Sequence, residues 1–202
     1  MRRYNNLKNK KYNYFEALQK LYACIIDISK TSNTKSVNYD NILNKSNFIL
    51  QDIKKQLYKD FITPIDREDI FELAVLLQAQ VDNMIHLNCV ISSISFSKLD
   101  VNYYKILEKL GSTEKNIYSI LKEFENFKKS TSIESFFKKQ LSIFSEIQNL
   151  RNSLTYLNNT AYSPNVLLEI IRQQTLERVL FNIIDTYKAI VFTIEKIILK
   201  NL

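Results

Sequence analysis

Glycine is nearly missing from this chain: its 202 residues contain one, Gly111, and only two prolines. Sheet proteins and alternating α/β folds need many tight turns, which favour glycine, asparagine or proline. The scarcity argues against both classes and for a few long helices. It also removes glycine-rich phosphate loops and dinucleotide fingerprints, which cannot be built around one glycine. Tryptophan is absent, and histidine occurs once, as His86. No serine lies in the glycine-flanked setting of a nucleophile elbow, so nucleophilic catalysis has little to work with. Two cysteines, Cys24 and Cys89, make no disulfide framework and fit a reducing compartment. No apolar run approaches the roughly 18 residues of a membrane span. None follows Arg2 and Arg3 in the manner of a signal peptide. The expectation is a soluble, cytoplasmic protein.

What the chain does have is apolar and basic. Apolar residues make up 46% of it, which argues against disorder. A length of 202 residues suits one domain, which would bury roughly 70% of its unfolded surface without disulfide or metal staples. The formal charge is +7. Such an excess points to an anionic partner: nucleic acid, a membrane surface or an acidic protein face. Residues 1–12 carry five cations and no acid, and they read as a basic arm ahead of a helical domain at 13–202. Tyr4, Tyr12 and Tyr14 interleave with those cations, as suits nucleic acid or lipid headgroups. The plainer reading is a frayed terminus over a solvated helical surface.

Six periodic segments follow. The first spans about Tyr14 to Ser29, with Phe15, Leu18, Leu21, Tyr22 and Ile25 at helical spacing. The second runs from about Tyr39 to Phe61 and stops before Pro64, because the residue preceding a proline disfavours the α region. The third opens at Asp66, a good N-cap, with Glu68 and Asp69 at the positive helix end. Its seam is Ile70, Leu73, Leu77, Val81 and Met84, and it lasts to about Val90. The fourth covers about Tyr103 to Lys128, with an expected break near Gly111. The fifth covers about Ile133 to Asn158, with Phe137, Leu141, Phe144, Leu150, Leu154 and Leu157 as its stripe. The sixth opens at Ser163-Pro164, a capping serine with proline at the first helical position. Its wide apolar stripe belongs to a bundle centre. The halves echo each other: Leu76, Leu77, Val81 and Asp82 match Val179, Leu180, Ile184 and Asp185. A duplicated three-helix unit would explain this.

Metal chemistry has few candidates. Asp82, His86 and Cys89 share one helical stripe and are ligand types. A fourth ligand is not identifiable, so a packed Cys89 and an edge histidine are the simpler reading. Bundle metal sites use inward carboxylates on facing helices. Asp82, Asp185 and Glu146 are the best candidates, with no i, i+4 carboxylate pair among them.

The segment FITPIDREDIFELA (61–74) resembles the signature of the PhoU-like family, and more closely its branch encoded beside inorganic-phosphate (Pit) transporters. Thr63, Pro64, Ile65, Asp66, Arg67, Glu68, Asp69 and Ile70 match that signature in sequence. The tail IEKIILKN (194–201) resembles the branch's common ending. The resemblance implies an all-α bundle of two three-helix units related by a pseudo-twofold. It also implies metal-binding acids on the inner helices, and these are mostly replaced here. The expected positions fall at Leu43 and Asn47, Gln78 and Asp82, Arg151 and Thr155, and Phe181 and Asp185. An apolar core in place of a metal site is therefore expected, with no cofactor beyond a residual metal ion at Asp82, Glu146, Asp185 or, more weakly, His86. The kept acids and Arg67 read as helix capping and, second, as a partner contact.

The functional expectation is a non-enzymatic phosphate-transport regulator that docks on an inorganic-phosphate transporter at the inner membrane face. The alternative is a basic helical module for nucleic acid or an anionic membrane, with nucleic acid the less favoured of the two. Homodimerisation stays open.

Overall fold

The computed structural model describes residues 12–31, 38–93, 100–154 and 164–202. The basic arm, apart from Tyr12, lies outside them. The helices are α1 (Tyr14–Thr31), α2 (Tyr39–Lys59), α3 (Arg67–Ser92), α4 (Val101–Glu123), α5 (Ile133–Asn152) and α6 (Pro164–Asn201). No strand occurs among the described residues.

Local chemistry sets several boundaries. The Asn38 side chain accepts a hydrogen bond from the Asn41 N–H at 3.2 Å, and that of Asp100 accepts from Asn102 at 2.8 Å. Both caps satisfy N–H groups that the first helical turn leaves without partners. Helix α4 does not break at Gly111, which has no positive φ. One glycine in a helix costs only about 1 kcal/mol against alanine, too little to interrupt 23 residues with a buried face. The helix ends sooner than its sequence pattern suggests. A 3-10 helix follows at Phe124–Lys129, where Asn126 leaves helical dihedrals (φ −118°, ψ 24°). The Glu123 carboxylate accepts from Ser130 at 2.5 Å and Ser132 at 2.6 Å, tying this turn down. Helix α5 reaches Asn152, and residues 155–158 of the expected helix lie outside the described region.

The layers follow the pseudo-twofold. Helices α1, α2 and α3 pack together as one unit, and α4, α5 and α6 as the second. The units meet mainly along α3 and α6, with α1 against α4. The sequence echo becomes a shared register: Leu77, Val81, Leu180 and Ile184 are buried, while Asp82 and Asp185 point outward. The second unit is looser, because α4 touches α6 only lightly.

The buried face of α5 corrects the expected stripe. It is formed by Phe136, Gln140, Ile143 and Ile147. Leu141 is 71% exposed, and Phe137 and Phe144 are only half-buried. The apolar stripe of this helix is wider than the face it buries, so periodicity alone did not select the face. Cys24 is buried and Cys89 exposed, and both are free thiols.

Candidate functional site

The two segments that carry the sequence resemblance meet in space. Helices α3 and α6 run antiparallel at this end, so the start of one faces the end of the other. Asp69 is 2% exposed and bridges two lysines one turn apart. Lys196 Nζ lies 2.9 Å from its Oδ1 and Lys200 Nζ 2.9 Å from its Oδ2. Lys196 also contacts Glu72 at 2.5 Å, and Glu72 accepts a bond from Thr193 at 3.1 Å. Burial raises the Asp69 carboxyl, but the hydrogen bonds from Lys200 and Lys196 outweigh it and leave its pKa below the usual value. The bonds to Asp69 and its neighbours raise both lysines.

Asp66 does not act as the expected cap. Its side chain makes no capping hydrogen bond; its carboxylate pairs with Lys200 at 3.1 Å instead. The lysine tail of α6 outcompetes the backbone N–H for that oxygen. The rest of the motif shapes the approach to α3. Thr63 Oγ1 donates to the Ile65 carbonyl at 2.7 Å, and Ile65 is buried beneath. Asp60 accepts from the Tyr14 hydroxyl at 2.8 Å, fixing the end of α2 to α1. Arg67 and Glu68 are exposed and line a shallow groove with Lys54, Tyr58 and Phe71. Among the described residues Arg67 has no acidic partner.

Around that groove the surface is apolar to an unusual degree. Phe61 is 93% exposed, Tyr58 89% and Ile62 71%, with Phe71 and Val75 alongside. The Lys54 ammonium sits 5.5 Å from the centre of the Phe71 ring. Lys55 and Lys59 are exposed on the same stretch of α2.

The metal candidates do not converge. Asp82, His86, Glu146 and Asp185 are all exposed, contrary to the inward placement expected for the three acids. Asp82 accepts from the Gln78 amide at 3.3 Å, and burial of its immediate surroundings raises its pKa despite that bond. Glu146 pairs with Lys109, and Asp185 with Lys188 at 3.8 Å. Among the described residues no three His, Cys, Asp or Glu side chains cluster to hold a metal ion. The substituted positions have other contacts. Gln78 is buried, and Leu43 is half-buried. The Arg151 guanidinium stacks 3.7 Å from the centre of the Phe181 ring, so two replaced positions contact each other as a cation–π pair. Thr155 lies outside the described residues.

Sequence reasoning missed Lys196 and Lys200 as partners of the motif. Their i, i+4 spacing, matching the acids at 66, 69 and 72, was the available signal. It also missed the exposure of Tyr58, Phe61 and Ile62; the helix expected to run to Phe61 ends at Lys59.

No protein-family model and no curated protein matches the sequence. Solved structures do match. A PhoU-like protein from Shewanella oneidensis MR-1 superposes with a TM-score of 0.61 at 13% identity, covering 93% of this chain and 96% of that one. A PhoU-like phosphate regulatory protein from the same organism superposes with the same TM-score and identity, over 94% of this chain. No described helix is long and apolar enough to cross a membrane. Six helices among the described residues, their pairing and these superpositions together give the chain the PhoU-like fold.

Proposed function

We propose that this protein regulates phosphate transport by docking on an inorganic-phosphate transporter at the inner membrane face. It does so without catalysis and without a metal cofactor of its own. The carrying observation is the corner between α2 and α3, where Tyr58, Phe61 and Ile62 stand almost free of protein contact. Exposed apolar patches of this kind mark interaction sites. The charge left at the corner is positive. Asp66 is paired with Lys200, and Lys54, Lys55, Lys59 and Arg67 outnumber the remaining acids Asp60 and Glu68. An apolar surface with acidic residues on the transporter complements it. The PhoU-like phosphate regulatory protein among the superposed structures supports a role in phosphate physiology.

The test is co-purification with the inorganic-phosphate transporter in detergent. Retention by the wild-type chain and loss with Tyr58→Ser/Phe61→Ser is expected. A transporter that is not retained overturns the reading.

The same cations and aromatic residues favour a second reading, a membrane-surface module. Aromatic rings settle at the headgroup level, and basic side chains each add about 1 kcal/mol near anionic lipid. Binding to phosphatidylserine vesicles without transporter, abolished by salt, would favour it. A dimer that disperses with Phe61→Ser would instead assign the corner to a second copy of this chain.

A further inference from the structure

At the far end of α3, about 24 Å from Phe71 along the helix, lies a cavity of about 270 Å³ between α1, α3, α4 and α6. It sits where α4 packs lightly on α6. Each of the four helices contributes one polar group: Ser29, Asn88, Glu114 and Tyr187. One of these groups lacks a partner. The Asn88 Nδ2 is buried and makes no hydrogen bond. Asn88 is 9% exposed and Tyr187 0%. The Tyr187 hydroxyl is turned to Gln80 and Tyr22, so Tyr187 supplies wall rather than a free donor. Buried donors are rarely left unpaired in a folded protein, because each costs about 1–3 kcal/mol.

Glu114 gives the cavity its charge preference. Its carboxyl is 7% exposed and accepts from the Ser29 hydroxyl at 2.6 Å. It has no ion pair among the described residues. Burial raises its pKa, with Ser29 and the more distant Lys115 and Lys30 opposing. No cationic side chain lines the cavity among the described residues. An anion, inorganic phosphate included, would face an uncompensated carboxylate. A multivalent metal would find one carboxylate and no histidine or thiolate. Leu87, Ile91, Leu107 and Leu110 supply apolar wall. The chain's one glycine, Gly111, lies on that wall, and a Cβ there would meet nothing within 4 Å. Neither backbone dihedral nor close contact calls for glycine at this helical position. Glycine leaves this part of the wall without a side chain.

We propose that this cavity is a binding site for a small organic ammonium compound. The ammonium donates to Glu114 and its short apolar body rests against Gly111 and the leucines. Asn88 turns its free donor to an acceptor on the ligand or to a water carried with it. The volume is below the roughly 300–1,000 Å³ of drug-sized pockets, so the ligand is a short-chain amine.

The test uses n-butylammonium chloride, with 1-butanol and sodium butyrate as neutral and anionic probes of matched length. Backbone amide chemical shifts are followed at constant ionic strength. Saturable shifts at Asn88, Glu114 and Tyr187 with butylammonium are expected, with at least tenfold weaker response to both controls. Glu114→Gln keeps an acceptor for Ser29 and should weaken binding at least tenfold. Gly111→Leu fills the space without touching a polar group and should abolish binding while the helix stays folded. Equal response to butanol, no saturable response, or unchanged binding in Gly111→Leu would each overturn the assignment. None of these outcomes depends on transporter docking.

Discussion

At the scale of single residues, the acids of one motif do different work despite adjacent positions. Asp66 and Asp69 both touch Lys200, yet Asp66 is exposed and Asp69 is buried. Exposed ion pairs contribute little, whereas a buried acceptor with charged donors carries more. Asp69→Ala is therefore expected to cost about 2 kcal/mol, because it removes the buried acceptor of two charged hydrogen bonds and leaves Lys196 and Lys200 only Glu72 and Asp66. Asp66→Ala should cost about 0.5 kcal/mol, from lost surface pairing and charge at the helix start, since there is no cap bond to lose. Urea titrations of the two variants check both. A larger loss for Asp66→Ala would restore capping as its role. The motif was legible in the sequence as a string. Its pairing with the tail was not, because the matching spacings of acids and lysines do not by themselves say which helices meet across more than a hundred residues.

At the scale of elements, legibility followed the strength of the periodic signal. Helices α3 and α6 have aliphatic seams at spacings of three and four, and their buried faces are the ones those seams mark. Helix α5 offers Phe136, Phe137, Leu141, Ile143, Phe144 and Ile147 over an arc of about 160°, wider than the face it buries, so that face was set by what α4 presents. The metal candidates failed for a related reason: Asp82 and Asp185 follow buried residues directly, and one residue along a helix turns the side chain by about 100° to solvent. Gly111 is the opposite case. Sequence marked it as a break, but the fold carries the helix through it. Gly111→Ala adds a methyl group to open space and removes freedom from the unfolded chain. The variant should raise stability by about 0.5–1 kcal/mol, read as an upward shift in melting temperature. A loss of stability would mean that the space around α4 is filled in solution.

At the scale of the whole molecule, two buried carboxyls pull the pH dependence in opposite directions. Asp69 has a lowered pKa, so its contribution is present above the unfolded value of about 3.9 and disappears as pH falls through the lower folded value. Glu114 has a raised pKa, so the folded state binds more protons than the unfolded state above about pH 4.3. Its effect is a loss of stability as pH climbs from there through the folded pKa. Asp82 acts with the same sign as Glu114. Lys196 and Lys200, raised by their acidic partners, hold their contribution until pH passes the ordinary lysine value of about 10.4. Two variants separate the contributions. Asp69→Asn should be less stable than wild type at pH 7, with the difference shrinking towards pH 3. Glu114→Gln should match wild type near pH 4 and gain on it towards pH 8, because glutamine has no charge to bury. Denaturant unfolding at four or five pH values measures both slopes. A Glu114→Gln difference that stays flat across that range would show that the carboxyl is solvated in the folded protein, and that the far end of the bundle is wetter than its geometry indicates.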